Sequence, residues 1–258
     1  MAGHPMGAGG FAVLASYFPD RTVVTYDPRG VGRSLRLHGH DAESTPQVHA
    51  ADLHALVTAL GTPVDLFASS GGAVNALALV AAHPHDVATL VAHEPPLTEL
   101  LPDAEQVGAA EREVQAAYQR GGFGVGMARF IALISWQGEF TDEVATQPDP
   151  DPAQFGLPTE DDGTRDDPLL SGSGNEITAF RPDAAALAAA STRVVVAAGV
   201  ESRTVLTGRT AAAVAALLGQ PLTEFPSHHG GFLGGDGGYS GEPEAFAARL
   251  REVLDGVT

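Results

Sequence analysis

The sequence predicts an α/β protein with a mostly parallel, doubly wound sheet. Three observations predict this fold class. Short apolar runs alternate along the chain with segments that repeat their apolar residues at helical spacing. The runs are continuously apolar, as in strands that helices cover on both faces. The length of 258 residues and the 44% hydrophobic fraction are enough for a large buried core.

The first elements follow a glycine-rich start. Phe11–Phe18 predicts a short helix, and the β-branched run Thr22–Tyr26 predicts a buried strand. Pro46–Leu60 carries apolar residues three to five apart, which is typical of a helix with one apolar face, and Gly61 ends it. Pro63–Ala68 predicts the next strand. The order of strand, helix and strand favours a parallel sheet.

The same alternation continues after this point and is interrupted once. Gly71–Ala82 predicts an Ala-rich helix, and Val87–Ala92 predicts a third strand. Helical segments near Ala104–Arg120 and Val125–Trp136 then open an insertion. The last predicted elements are the strands Arg193–Ala198 and Pro221–Phe225 and the helices Arg209–Leu218 and Glu242–Leu254.

The predicted organisation is therefore a core with one inserted cap. Residues 1–96 and 181–258 form the core, and residues 97–180 form a helical cap. Residues 139–167 of the cap hold ten acidic residues, four prolines and a single basic residue, Arg165. This composition predicts a solvated, mobile loop, with a lid that gates a pocket as the alternative.

Charge and cysteine content exclude several classes of function. All 14 basic residues are Arg, and 32 acidic residues give a net charge of −18. A nucleic acid partner and an anionic membrane surface are excluded, because both need a basic contact surface. The chain has no Cys, which excludes disulfides and a thiolate nucleophile. With no charged leader and no long apolar run, the expected location is cytoplasmic, and no cofactor is expected.

The run Ala68-Ser69-Ser70-Gly71-Gly72 joins the second predicted strand to its helix. A nucleophile elbow needs small residues two positions before and after the serine, because the sharp turn brings neighbouring backbone close. Ala68 and Gly72 meet that requirement. Ser70 would then stand at the helix N-terminus, where the helix dipole favours developing negative charge. The alternative is that one of the serines only caps the helix.

Three further motifs of this chain, together with the run around Ser70, resemble those of a known family. Residues 27–34 (DPRGVGRS) resemble the Asp-x-Arg-Gly-x-Gly-x-Ser loop of the α/β-hydrolase superfamily. Residues 3–7 (GHPMG) resemble its oxyanion loop, and residues 228–232 (HHGGF) resemble its catalytic-histidine loop. The resemblance covers nearly the whole chain outside the insertion.

The resemblance implies a catalytic triad. Ser70 stands at the nucleophile position. His229 fits the His-x-Gly-Phe pattern of the base better than His228, which is expected to be a neighbour in the pocket. Two acids remain open. Glu94 follows the third predicted strand and is favoured, and Glu201 lies near the usual acid position, which Ser202 occupies here.

The resemblance also implies an oxyanion hole, for which Gly71 and Met6 are the expected amide donors. Pro5 stands at the usual second donor position but has no N–H group. The expected pocket residues are His4, Pro5, Ser69, His228 and Trp136.

The expected activity is hydrolysis of a small, largely apolar carboxylic ester, lactone or thioester through an acyl-enzyme on Ser70. One alternative is a cofactor-free lyase, cyclase or C–C bond hydrolase that uses the same triad. The other is a ligand-binding member of the fold without catalysis.

The chain departs from the family at its N-terminus, because the first three strands of the family sheet are absent. The third of these should lie beside Thr22–Tyr26, and a gap there would leave backbone groups unpaired. Three solutions are open. The predicted strands on either side of the gap pair directly with each other, or another chain supplies the pairing, or the reading frame starts upstream of Met1. A homodimer paired at this edge is the expected solution.

Several histidines suggest metal ligation without meeting its requirements. Two runs combine histidines with an aspartate, His38-Gly39-His40-Asp41 and His83-Pro84-His85-Asp86. Neither is followed by a second group of ligands at a spacing typical of a metal site. His49 and His54 lie five residues apart on a predicted helix and share its face poorly. No metal site is expected.

Overall fold

A computed structural model describes residues 1–34, 44–61, 63–172, 174–235 and 240–256. Its sheet has four strands, β1 (Val64–Ser69), β2 (Val87–His93), β3 (Arg193–Gly199) and β4 (Thr223–Phe225). They lie side by side in chain order, and every neighbouring pair is parallel. The predicted parallel α/β fold is confirmed.

Nine α-helices surround the sheet within the described residues. They are α1 (Ala12–Ser16), α2 (Pro46–Leu60), α3 (Gly71–Ala82), α4 (Ala104–Ser135), α5 (Asp142–Thr146), α6 (Asn175–Thr178), α7 (Ala184–Ala189), α8 (Leu206–Leu217) and α9 (Pro243–Leu254). None of these helices combines the length and the apolar character that crossing a bilayer requires.

Two apolar clusters lie on opposite faces of the sheet. Successive strand residues point to opposite sides, so Leu66 belongs to one cluster and Phe67 to the other. The first cluster buries residues of α2, α3 and α8, and the second buries residues of α1 and α9. Helices therefore cover both faces, as the continuously apolar strands predicted.

The strand predicted at Thr22–Tyr26 does not form. The N-terminal residues lie between this run and β1: the Met1 amino group donates to the Val24 carbonyl at 2.7 Å, and Ala2 forms a parallel bridge with Ala68. The run is rich in β-branched residues but lacks the continuous neighbour that a ladder needs. The run Thr22–Tyr26 therefore does not pair directly with β1, and pairing with a second copy stays a prediction.

The two helices predicted at the start of the insertion form one broken helix, α4. The break lies at Gly122, where the backbone has φ 74°. A Cβ atom there would lie 2.3 Å from the Asp161 carboxylate, so the chain crosses α4 closely at this point. Glycine permits both the left-handed backbone and the close approach.

The acidic stretch of residues 139–167, predicted to be a solvated loop, is largely exposed but carries two short helices. It contains α5 and a short 3₁₀-helix at Pro152–Phe155. The buried Arg129 of α4 donates to backbone carbonyl oxygens of residues 144, 145, 147 and 148 at 2.8–3.4 Å. Arg165 pairs with Asp161 at 2.6 Å. Arg129, which lies outside the stretch, thus holds residues 144–148 against α4.

The insertion has its own apolar cluster and is tied to the core by an ion pair. Tyr118 and Leu133 of α4 are buried in this cluster together with Leu206 of α8. Beside it, Arg209 of α8 pairs with the buried Asp103 at 2.6 Å. Arg209 also donates to the Gly138 carbonyl at 2.8 Å. These contacts fix the insertion over the carboxyl ends of the strands.

Candidate active site

Ser70 occupies a strained turn between β1 and α3. Its backbone has φ 57° and ψ −133°, a conformation that costs free energy for any residue other than glycine. Its side chain makes no capping hydrogen bond, which argues against a role as a simple helix cap. At Gly72 a Cβ atom would lie only 2.5 Å from the Ala2 carbonyl oxygen. The turn thus has the tight geometry that the small residues predicted.

Glu94 and His229 form a carboxylate–imidazole pair. His229 Nδ1 lies 2.7 Å from Glu94 Oε2. The glutamate follows β2 and is fully buried, whereas the histidine side chain is 32% exposed. The backbone N–H of Gly199 donates to Glu94 Oε1 at 2.9 Å, and the Thr207 hydroxyl donates to Oε2 at 2.5 Å. All polar atoms of this buried carboxylate are therefore satisfied.

The pKa of Glu94 lies well below its ordinary range. Burial alone raises this pKa, but the hydrogen bond from His229, the charge of that histidine and the Thr207 hydroxyl lower it by more. The carboxylate is therefore ionised at neutral pH and fixes the proton of His229 on Nδ1. The alternative acid, Glu201, is exposed, and its backbone N–H bonds to the Ser227 carbonyl at 3.0 Å.

The remaining nitrogen of His229, Nε2, is available to a nucleophile. Among the described residues neither this nitrogen nor the Ser70 hydroxyl has a hydrogen-bond partner. Ser70 and Glu94 are held side by side, because the Ser70 N–H donates to the carbonyl of His93 at 3.0 Å. Catalytic hydrogen bonds often shorten only when substrate binds.

Two backbone N–H groups, one directly after Ser70 and one in the loop that packs on the elbow, are also unengaged. The loop of residues 3–7 packs on the elbow, and a Cβ atom at Gly71 would lie 2.8 Å from the His4 carbonyl oxygen. The N–H groups of Gly71 and Met6 have no acceptor within the part of the chain that the structure describes. Free amides next to a nucleophile are what an oxyanion hole requires.

Asp27 binds the backbone at the C-terminal end of the loop of residues 3–7. Its Oδ1 accepts the Ala8 N–H at 2.8 Å, and its Oδ2 accepts the Arg33 N–H at 3.0 Å. A Cβ atom at Gly7 or Gly32 would lie within 2.8 Å of the Asp27 carboxylate, so both glycines are needed for its close approach. The motif at residues 27–34 thus positions the loop beside Ser70.

His93 is a buried residue of the site that the motifs did not indicate. Its Nδ1 is hydrogen-bonded to Ser69 Oγ at 3.1 Å, and the two residues are register partners at the ends of β1 and β2. Its Nε2 has no hydrogen-bond partner and lies 3.9 Å from Glu94 Oε1. Burial lowers the pKa of His93 to about 4. The neutral ring ties together the two strands that deliver Ser70 and Glu94.

Thr207 is a second group that the sequence analysis missed, since no spacing signal links it to Glu94. The signal for His93 was available, because parallel strands that end together place Ser69 beside it.

Three of the expected pocket residues form hydrogen bonds with neighbouring groups of the protein. Ser69 is buried and turned toward His93, and Trp136 donates its indole N–H to the Glu139 carbonyl at 3.1 Å within the insertion. The assignments of Ser69 and Trp136 to the pocket stay predictions. The ring nitrogens of His228 bond within its own loop, to the Gly230 N–H at 3.0 Å and the Ser240 carbonyl at 3.2 Å.

The other two expected pocket residues, His4 and Pro5, do lie in the loop against the elbow. The His4 ring is buried edge-on against His49, with centroids 4.4 Å apart. Burial, with a smaller contribution from the charge of His49, lowers the pKa of His4 to about 4. A neutral ring is therefore expected beside Gly71.

Comparison with known proteins identifies the fold. Residues 3–123 match the family model described as the alpha/beta hydrolase fold. A 92-residue segment is 39% identical to an uncharacterized hydrolase, YraK, of Bacillus subtilis; it covers 34% of this chain and 31% of that relative. The chain thus spans about a third of the length of the curated relative that it matches.

Solved structures resemble the chain over nearly its full length. A thermophilic esterase from Thermogutta terrifontis has a TM-score of 0.63 at 22% identity, with 99% of this chain and 88% of that chain covered. An esterase from Exiguobacterium antarcticum has a TM-score of 0.65 at 16% identity, with coverage of 98% and 89%. The chain has the alpha/beta-hydrolase fold, as the resemblance of its motifs implied.

Proposed function

We propose that the protein is a serine hydrolase that cleaves a carboxylic ester through an acyl-enzyme on Ser70. The observation that carries the proposal is the pairing of a buried, ionised Glu94 with His229, together with a serine on a strained elbow whose N–H bonds to the residue before Glu94. A serine hydroxyl is a weak nucleophile unless a base accepts its proton, and a base held by a carboxylate is the arrangement that activates it.

The proposed reaction has two steps. In the first, His229 Nε2 accepts the Ser70 proton while Ser70 Oγ attacks the carbonyl carbon, and the oxyanion accepts hydrogen bonds from Gly71 and Met6. The intermediate expels the alcohol, which takes the proton from His229. In the second step, His229 accepts a proton from water, the hydroxide attacks the acyl group, and the acid leaves as Ser70 recovers its proton.

Charge favours an uncharged substrate for this site. The net charge of −18 repels anionic esters before they reach the site. The donor groups proposed here serve one carbonyl oxygen, which carboxylic esters, lactones and thioesters all present. The esterase names of the structural neighbours support this class. We therefore include small, largely apolar lactones and thioesters in the proposed substrate range.

A fluorophosphonate probe followed by intact-protein mass spectrometry tests the proposal. The wild type is expected to gain one probe adduct, and Ser70→Ala is expected to gain none. Ser69→Ala is the matched control, because it removes the adjacent serine and should still be labelled.

The same experiment separates the two histidines. His229→Ala should be labelled at least 100-fold more slowly, since a general base contributes about 10²–10⁴-fold. His228→Ala should be labelled within a few-fold of the wild-type rate. A folded wild type that takes up no probe would overturn the proposal and favour a ligand-binding protein without catalysis.

A further inference from the structure

Three metal-ligating side chains meet at the end of the sheet opposite Ser70. His54 lies on α2, His83 follows α3, and Asp86 precedes β2. His54 Nδ1 lies 2.6 Å from Asp86 Oδ2, and the two imidazole rings stack with centroids 3.7 Å apart. One ligand atom from each residue lies within 4.8 Å of the other two.

This cluster is separate from the proposed active site. Asp86 stands just before β2, whereas Glu94 stands just after it. A strand of this length spans roughly 20 Å. An ion bound at the cluster would therefore take no part in the reaction at Ser70.

The turn that carries two of the three ligands is rigid. The Asp86 N–H donates to the His83 carbonyl at 3.1 Å, and the Asp86 carbonyl accepts the Val64 N–H at 3.0 Å. The Pro84 carbonyl oxygen accepts hydrogen bonds from the hydroxyl groups of Ser191 and Thr192 at 2.8 and 3.1 Å. Pre-positioned ligands lose little freedom when an ion binds.

We propose that His54, His83 and Asp86 form a binding site for a divalent transition-metal ion, with Zn²⁺ as the favoured ion. Two imidazole nitrogens and a carboxylate oxygen are donors that Zn²⁺ accepts at about 2.0–2.2 Å, and water completes the tetrahedron. Ca²⁺ and Mg²⁺ are disfavoured, because they prefer oxygen ligands throughout. The ion replaces the proton between His54 and Asp86.

Binding requires one local adjustment. The stacked rings are within 9° of parallel, so their nitrogen lone pairs do not yet converge on a single point. The His54 side chain is 39% exposed and can turn without disturbing the core. The bound ion then ties α2 to the turn between α3 and β2, and it stabilises the folded state because the unfolded chain has no assembled site.

The sequence analysis rejected a metal site because the run of residues 83–86 lacks a second ligand group. The fold supplies that group, His54, from another helix. The other histidine run, at residues 38–41, lies outside the described residues.

Isothermal titration of the full chain with ZnCl₂ tests the site, after removal of any affinity tag. One ion per chain is expected for the wild type, with binding at least tenfold weaker for His54→Ala and for His83→Ala. His85→Ala is the matched control: its ring lies on the same turn, bonded to Ser191 at 3.2 Å, and its loss should leave the affinity unchanged.

Thermal unfolding provides a second readout on the same proteins. Zn²⁺ at ten times its Kd should raise the Tm of the wild type and of His85→Ala by about 3–5 °C. His54→Ala should show no rise, although it should unfold near the wild-type temperature in EDTA. No uptake of Zn²⁺ by the wild type, or equal affinity in His54→Ala, would overturn the proposal.

Discussion

Replacing Glu94 by Gln removes the charge that the proposed mechanism needs and keeps the shape of the side chain. The amide oxygen of the new side chain can still accept the Gly199 N–H, but its NH₂ group takes the place of Oε2, which accepts from both His229 and Thr207. The amide N–H then faces His229 Nδ1 and favours the tautomer that carries its proton on Nε2. In that tautomer the histidine cannot accept the Ser70 proton.

Two magnitudes follow from this arrangement. The wrong histidine tautomer costs about 10³–10⁴-fold in kcat. Loss of a buried hydrogen bond to a charged carboxylate costs about 2 kcal/mol of the free energy of unfolding, which corresponds to a Tm lower by about 4–8 °C. The variant is therefore expected to fold and to be nearly inactive.

The assay is hydrolysis of p-nitrophenyl butyrate at pH 7.5, with Glu201→Gln as the matched control. Glu201 is exposed, so its replacement should leave kcat within about twofold and stability within about 0.5 kcal/mol. The reasoning fails if Glu94→Gln keeps more than a tenth of the wild-type kcat, or if Glu201→Gln loses as much activity.

Three further predictions concern the backbone, the pH dependence and the insertion. Gly72→Ala places a methyl group 2.5 Å from a backbone oxygen of the N-terminal segment, so fluorophosphonate labelling should slow at least tenfold. Gly9→Ala is the control, because nothing lies within 4 Å of the added methyl group, and it should be labelled at the wild-type rate. Equal labelling rates for the Gly72→Ala and Gly9→Ala variants would refute the packing argument. Burial lowers the pKa of His93 from 6.5 to about 4, so its stabilising effect is complete above pH 6.5 and is lost as the pH falls toward 4. Unfolding in urea should show this loss as a slope of up to about 1.4 kcal/mol per pH unit, in addition to the slope from His4, whose pKa burial also lowers to about 4. His93→Phe should reduce the total slope by the His93 contribution, and equal slopes in both proteins would contradict it. Arg209→Ala leaves the Asp103 charge unpaired and should lower the free energy of unfolding by about 3–5 kcal/mol, and a loss below 1 kcal/mol in urea unfolding would show that the ion pair is not needed.

Local patterns predicted the elements that local forces determine. The apolar runs that became β1, β2 and β3 were recognisable because a buried parallel strand is apolar on both faces. The small residues around Ser70 indicated its tight turn, because a larger side chain would collide with neighbouring backbone, as it would at Gly72. Glu94 could be chosen as the favoured acid because it directly follows a strand that was correctly placed.

The features that the sequence did not indicate depend on contacts between distant segments. Thr22–Tyr26 has the composition of a strand, but a strand exists only with a hydrogen-bonded neighbour. The contact of Arg129 with the acidic stretch was not predicted, because Arg129 lies on another element. His54 and His83 belong to different segments, and only the packing of α2 against α3 brings their rings together.

Rapid quenching of the protein during turnover of p-nitrophenyl acetate, followed by peptide mass mapping, tests the central claim most directly. The account predicts one acetyl group per chain, carried by the peptide that contains Ser70 and absent when Ser70 is replaced by Ala. Turnover at the wild-type rate by Ser70→Ala, or an acetyl group that maps to another residue, would contradict it.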